Sequence, residues 1–219
     1  MKQASCLGLT LTLLLLTGCV ETRFESPLGD NIETCDVRWK GLWTGVEDAP
    51  IDSDSNTSAF NVNDNCEFTV LDQPEKGGPL KRVHVPLNYV HAGGNDFIVV
   101  ADSAIKGLVK LKPPHAVDPV PEKSFFFMRY RVRGNRIELY QVDSKHLAKL
   151  IVDGKLDGTV DKSANDLHVF VHGSRAQMLD LVQRESVFES KPNLQIARSK
   201  QTLAEFEQSA QRAAPGKKP

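Results

Sequence analysis

Alternating apolar and polar residues recur through the middle of the chain and predict a series of short β-strands. A period of two places successive side chains on opposite faces of a sheet. Pro86 lies within one of these runs and indicates an edge strand, because proline cannot donate a ladder hydrogen bond. The four predicted strands before residue 102 are Arg38–Val46, Cys66–Leu71, Leu80–Val90 and Asp96–Ala101, with a polar loop over 47–65.

The clearest supersecondary signal is a hairpin in the centre of the chain. Ser124–Arg133 and Arg136–Val142 are both rich in β-forming residues, and Gly134-Asn135 separates them. A two-residue turn of this type joins antiparallel strands. Two shorter strands, Leu156–Val160 and Leu167–Val171, are predicted further along.

The period changes to that of a helix at three places in the C-terminal half. Ser144 is a predicted N-cap for a helix that runs to about Val152, with Gly154 ending it. Ser174 and Gln177 have capping-box spacing and open a second helix to about Arg184. A third helix covers about 202–213. The expected fold is therefore mainly β, an antiparallel barrel or sandwich of about eight strands, with two or three C-terminal helices: an α+β class.

The amino terminus has the three parts of a secretory signal. Lys2 supplies the positive charge, an apolar run follows, and Thr17 and Gly18 are small. The apolar run is about 11–13 residues, shorter than the ~20 that a spanning helix requires. Leu16-Thr17-Gly18-Cys19 resembles the lipobox of bacterial lipoproteins.

This resemblance implies a lipid anchor at Cys19. It implies that the Cys19 thiol receives a diacylglycerol, that residues 1–18 are removed as a signal peptide, and that the new amino group is acylated. One acyl chain binds a membrane only marginally, whereas three hold firmly. Val20 follows the cysteine where an Asp would favour the inner membrane. We therefore expect the outer membrane, with the protein facing the periplasm.

The four cysteines reduce to one candidate pair. Cys6 leaves with the signal peptide and Cys19 carries lipid, so Cys35 and Cys66 remain. In an oxidising compartment these two are expected to form a disulfide. The alternative is two unrelated free thiols.

Composition divides the rest of the chain into three parts. Residues 19–34 are polar, contain Pro27 and Gly29, and are predicted to be the lipidated N-terminus and a tether. Residues 35–190 form the predicted β-rich domain. Residues 191–219 are predicted to be a C-terminal helix and a basic tail.

The C-terminal half resembles a broad family of uncharacterised envelope lipoproteins over about residues 124–189. The resemblance implies a β-rich lipoprotein domain and supplies no activity or site. The residues that carry it are Phe125–Met128 ahead of Gly134–Leu139, the helix Lys145–Val152, and Leu167–Val171 followed by Ser174–Leu181.

Charge and candidate chemistry narrow the function classes. The chain has 27 basic and 28 acidic residues. It therefore lacks the excess positive charge of a nucleic-acid-binding protein. His168 and His172 share one face of a strand, but four residues at ~3.3 Å each separate them too far to share a metal. No Gly-x-Ser-x-Gly elbow is present. The sequence therefore predicts no catalytic, cofactor-binding or metal-binding residues, and an enzyme is not expected.

Two binding functions remain as alternatives. The first is a non-enzymatic lipoprotein whose β domain binds a protein partner in the envelope. The second is a carrier of a small apolar ligand, with Trp43 and Phe125–Phe127 lining the site. Gly41-Leu42-Trp43 resembles the Gly-x-Trp start of lipocalin-like barrels, which enclose such ligands. The alternative is that these aromatic residues fill a solid core and line no ligand site.

Overall fold

The mainly β class with helices is confirmed by the structure, a computed structural model. Twelve strands and four α-helices are described. Residues 1–19, with the expected signal peptide and lipid site, lie outside the described part, as does the basic tail beyond 212. The described residues are 20–46, 58–73, 79–106, 108, 112–163, 166–184 and 186–212.

The strands are short, and most of them pair with antiparallel neighbours. Their bounds are β1 Val20–Phe24, β2 Gly41–Gly45, β3 Ser58–Val62, β4 Phe68–Asp72, β5 Lys81–His84, β6 Asn88–Ala92, β7 Asn95–Ala101, β8 Phe125–Arg133, β9 Arg136–Tyr140, β10 Gly158–Lys162, β11 Leu167–Val171 and β12 Leu194–Arg198. The helices are α1 Asp102–Ile105, α2 Ser144–Val152, α3 Arg175–Arg184 and α4 Leu203–Arg212, and a 3-10 turn covers Val37–Trp39.

The sheet forks at β8, its longest strand. One edge of β8 pairs with β7 from Ala101↔Phe125 to Asp96↔Tyr130. The other edge pairs with β9 over residues 129–133 and with β1 only at Phe125. One branch continues β9-β12-β2-β3-β4-β5, and the other continues β1-β11-β10. The sheet is mixed because β1 and β11 run parallel.

Nine of the strands, from β6 around to β5, roll about one apolar core. We call this part the roll. Successive strands contribute inward side chains to it: Tyr89, Ile98, Met128, Tyr130, Ile137, Leu139, Ile196, Trp43, Phe60, Val62, Phe68, Val70 and Val83. β5 and β6 stand at its two ends and are consecutive in the chain. Among the described strands, β5 pairs with β4 and β6 with β7, so hydrogen bonds do not close the roll.

The expected barrel or sandwich of about eight strands is therefore not what forms. The three strands of the second branch lie outside the roll, and its seam between β5 and β6 contains Pro86, which has no N–H to donate. The predicted single edge strand Leu80–Val90 is two strands that meet at this proline.

A second core lies on the outer face of β6–β8. Alternation along β8 sends Met128 into the roll and Phe127 outward. The outward side chains pack with β1, β11, α2 and α3, where Leu147 and Met178 are buried. The first half of β8 is thus covered on both faces, which explains the continuous apolar run Phe125–Met128.

Two predicted boundaries are wrong because their residues belong to the folded domain. Val20–Phe24 is not a tether but an interior strand, paired with β11 through all five residues. Phe24 and Leu28 are both 0% exposed. At the other end, β12 lies between β9 and β2, so the domain does not end at residue 190. α4 also packs on the domain, with Phe206 in one cluster with Leu42 and Leu71.

A disulfide joins Cys35 to Cys66, with 5.3 Å between the two Cα atoms. It connects the segment before the 3-10 turn to the loop between β3 and β4. The bridge therefore holds the chain that leads into Trp39 against the roll. No helix in the described part of the chain is long and apolar enough to cross a membrane.

Candidate functional site: an apolar cavity in the roll

A cavity of about 420 Å³ lies inside the roll and reaches its outer edge. Small-ligand sites typically have volumes of roughly 300–1,000 Å³. The walls are mostly apolar because seven strands of the roll, all but β2 and β6, present inward side chains here. The lining residues inside the roll include Trp39, Phe60, Phe68, Val83, Ile98, Met128, Leu139 and Ile196.

Packed aromatic side chains close one end of the cavity. The Trp39 ring makes edge contacts with Tyr130, at 5.3 Å between centroids, and with Phe68, at 6.0 Å. Trp43 is 0% exposed, and its Nε1 donates a hydrogen bond to the Trp39 carbonyl at 2.6 Å. Rings that contact one another on several sides leave little freedom. This end therefore forms a rigid floor.

A polar network beside this floor contains most of the side chains whose pKa values are strongly shifted. The buried Asp36 carboxylate accepts hydrogen bonds from Arg38 Nη2 at 2.7 Å and from the Tyr130 hydroxyl at 2.5 Å. Arg38 Nη1 also donates to Asp96 at 2.9 Å, and His91 Nδ1 lies 2.7 Å from the same carboxylate.

Opposing effects set the pKa values in this network. Burial alone would raise the pKa of Asp36, but the hydrogen bonds from Arg38 and Tyr130 outweigh it and lower that pKa below its usual range. Burial, together with the hydrogen bond to Asp36, raises the pKa of Tyr130. The network therefore contains a carboxylate and a neutral phenol that hold the floor residues in place.

The open end of the cavity lies at the ends of β7, β8, β9 and β12 that are remote from the Gly134-Asn135 turn. Val100 and Phe126, which are directly paired, line this end. Leu139 and Leu194 form a second directly paired couple on its wall. The exposed side chains here are also apolar: Val20 is 50% exposed and Leu108 is 40% exposed. We call this opening the mouth.

Polar groups at the mouth are mostly engaged with one another. Thr22 Oγ1 donates to Ser144 Oγ at 2.7 Å, which joins β1 to α2. Glu21 pairs with Arg23, and Asp143 caps α2 by accepting from His146 N at 2.9 Å. Lys145, Glu189 and Asn193 complete the polar rim. The rim therefore carries three carboxylates and one ammonium, with Glu21 paired to Arg23, so its charge does not favour an anionic ligand.

The residues expected to line a ligand site divide into two groups. Phe126 and Phe127 both border the cavity, although the Phe127 ring packs in the outer core. Trp43 lies in the floor, and Phe125 packs in the outer core. Sequence reasoning missed Trp39, which lies in the 3-10 turn and not in a strand, and it missed Val20, which was assigned to a tether.

Histidines and carboxylates do not assemble a metal site within the described residues. His168 stacks on His115 with 3.7 Å between ring centroids, and His172 Nδ1 lies 3.6 Å from Glu25. A second, polar and open hollow at the start of α3 includes His172, Glu25 and Asp157. There the Gly173 N–H already donates to Glu25, at 2.8 Å.

Comparisons with protein-family models, with curated proteins and with solved structures find no match to this chain.

Proposed function

We propose that this protein is a lipid-anchored protein of the bacterial cell envelope that carries a small apolar ligand in the cavity of the roll. The cavity is the observation that supports this function best. In this proposal the protein binds and releases its ligand without changing it chemically, as the sequence predicts. The roll serves the purpose of a lipocalin-like barrel, although its seam is not hydrogen-bonded.

The size and the walls of the cavity favour an apolar ligand. A solid core would leave no void of this volume, because protein interiors are close-packed. Apolar ligand surface that binds against these walls is stabilised by roughly 25 cal/mol per Å² removed from water. Aromatic rings close its floor and its mouth is open, so a ligand can enter through the mouth.

A binding assay tests the carrier function directly. The chain from Cys19 onward is titrated with N-phenyl-1-naphthylamine, and energy transfer from Trp39 in the cavity wall reports a bound probe. Val100→Phe places a bulky ring in the mouth without adding a tryptophan, and it should weaken binding by about tenfold or more, equivalent to ~1.4 kcal/mol. Val152→Phe is the matched control, because Val152 is 77% exposed on α2 and lies away from the cavity wall. Absence of probe binding by the unchanged chain, or equal binding by both variants, would refute the carrier proposal.

The anchor rests on the lipobox-like Leu16-Thr17-Gly18-Cys19. We propose acylation of Cys19 and residence in the outer membrane, facing the periplasm. Cys19→Ser, or treatment of cells with globomycin, should abolish the processed membrane-bound form. A processed form that still fractionates with membranes after Cys19→Ser would contradict acylation at this residue.

Protein-partner binding is a second candidate, and the sheet edges favour it. Among the described strands, β10 pairs with β11 alone, so its other edge is open to an added strand. A photoreactive residue at Lys162, which is exposed on β10, should cross-link one specific envelope protein. Cross-links to abundant bystanders alone would count against this function.

A further inference from the structure

The mouth of the cavity lies beside the first described residues of the chain. Val20, Glu21 and Thr22 all line it. Cys19 is bonded to Val20, and consecutive Cα atoms are about 3.8 Å apart. A lipid on Cys19 would therefore emerge at the mouth itself.

The start of β1 is fixed in the sheet, so the position of Val20 beside the mouth is well defined. All five residues of β1 pair with β11, from Val20↔Leu167 to Phe24↔Val171. The Thr22 hydroxyl also donates a hydrogen bond to Ser144 Oγ at the start of α2. Phe24 is 0% exposed and stacks on Phe127 with 4.0 Å between ring centroids. β1, which begins next to Cys19, and the cavity therefore belong to one rigid body.

Without a tether, a lipid on Cys19 orients the domain on its membrane. The mouth must face the bilayer, because the residues next to the anchor form part of its rim. The exposed apolar side chains of Val20 and Leu108 lie at the same rim and would contact the lipid surface. The rim carboxylates outnumber Lys145, so this contact with the lipid surface depends on the apolar side chains.

We propose that the ligand of this cavity is an acyl chain of a membrane lipid, which enters directly from the bilayer on which the mouth rests. This inference rests on the proposed carrier function and on the proposed anchor. A chain that crosses water exposes its methylenes, which is unfavourable for each of them. A chain that passes from bilayer to mouth stays in apolar surroundings throughout, so its transfer should be much faster.

The test compares the same domain attached to vesicles from two opposite ends. Cys19 is the attachment thiol in the chain from residue 19, because Cys35 and Cys66 are bridged. It is coupled to a maleimide lipid in vesicles of phosphatidylethanolamine and phosphatidylglycerol that contain a trace of pyrene-labelled phospholipid. The control protein combines Cys19→Ser with Asn135→Cys. Asn135 is exposed in the β8–β9 turn, about 30 Å along β8 from Phe126.

Energy transfer from tryptophan to pyrene measures uptake of the labelled chain. We expect uptake by the Cys19-coupled protein to be at least about tenfold faster than by the Asn135→Cys-coupled protein, whose mouth points away from the bilayer. In the Cys19-coupled form, Val100→Phe should slow uptake by about tenfold or more, and Val152→Phe should leave it unchanged. Equal rates from the two ends, or an uptake rate that Val100→Phe does not change, would overturn the inference.

The soluble naphthylamine probe separates the two ways in which this proposal can fail. Both coupled proteins are first titrated with it. If both bind the probe and take up pyrene lipid at equal rates, the carrier function stands and the direct entry from the bilayer is refuted. If neither binds the probe, the carrier function fails and this inference fails with it.

Discussion

Replacing Phe24 by alanine decides whether the N-terminal segment is a strand of the domain or a tether. The Phe24 ring is 0% exposed and lies against Phe127, with centroids 4.0 Å apart and planes 15° apart. Removing a buried phenyl ring leaves a cavity and costs about 3–5 kcal/mol in folding free energy. For a domain of about 200 residues this lowers the melting temperature by roughly 6–20 °C. A residue in a solvated tether would change stability by less than about 0.5 kcal/mol.

Urea denaturation of the chain from Cys19 onward, followed by tryptophan fluorescence, measures this change. The midpoint should fall with little change in slope, because the folded state stays compact. Val20→Ala is the matched control in the same strand, since Val20 is 50% exposed and should cost less than about 1 kcal/mol. A loss below about 1 kcal/mol for Phe24→Ala would refute the placement of this segment in the sheet.

Two further predictions concern the floor and the disulfide. Asp36→Asn should destabilise the domain by about 1.5–3 kcal/mol at neutral pH, because Asp36 accepts charge-assisted hydrogen bonds from Arg38. The folded pKa of Asp36 is lowered, so its contribution is present above its unfolded pKa and is lost as the pH falls through the folded value. Urea midpoints measured from pH 7 down to pH 2 should therefore fall less steeply for Asp36→Asn than for the unchanged chain. Replacing Cys35 and Cys66 by serine should cost roughly 3–4 kcal/mol for a loop closed over 31 residues.

Each of these predictions has its own control. For the first, Tyr130→Phe removes one hydrogen bond from the Asp36 carboxylate and leaves its charge, so the acid-dependent loss should persist. Parallel pH profiles for Asp36→Asn and the unchanged chain would contradict the role of the Asp36 carboxylate. For the second, mild reduction of the unchanged chain should lower its stability as much as the double serine variant, and no loss in either would count against a stabilising bridge.

Local signals predicted local structure well. The hairpin at Gly134-Asn135 is β8–β9. The helix predicted over residues 144–152 has those bounds, although Asp143 caps it and Ser144 does not. The capping box is present, with Ser174 N donating to Gln177 Oε1 at 2.8 Å and Gln177 N lying 3.4 Å from Ser174 Oγ. These features depend on residues three or four apart, so a short stretch of sequence is enough to predict them.

Three strands escaped prediction because their stability comes from distant partners. β1 contains Glu21 and Arg23, and β12 contains Gln195 and Arg198, so both read as polar. Each is an interior strand because long-range pairing satisfies its backbone, β1 with β11 and β12 with β9 and β2. β3 starts inside the predicted loop at Ser58. Polar side chains do not exclude a strand whose apolar positions are covered by the rest of the fold.

The cavity could not be read from the sequence for the same reason. Its lining comes from strands that are far apart in the chain, and a void arises only from how their side chains fail to fill the roll. The sequence offered Phe125–Phe127 as candidates to line a ligand site, but it did not show which face of β8 would enclose space.

The sequence by itself determined the β-rich class and the local turns and caps, and it supports the prediction of a lipid anchor at Cys19 through a short motif. These follow from neighbouring residues, whose geometry is set by a few bonds. Only the tertiary structure decided that the chain after the anchor is a strand, that the sheet forks at β8, and that a cavity opens beside Val20. Those features require pairing between residues more than a hundred positions apart, such as Thr22 and Val169, which no local pattern specifies.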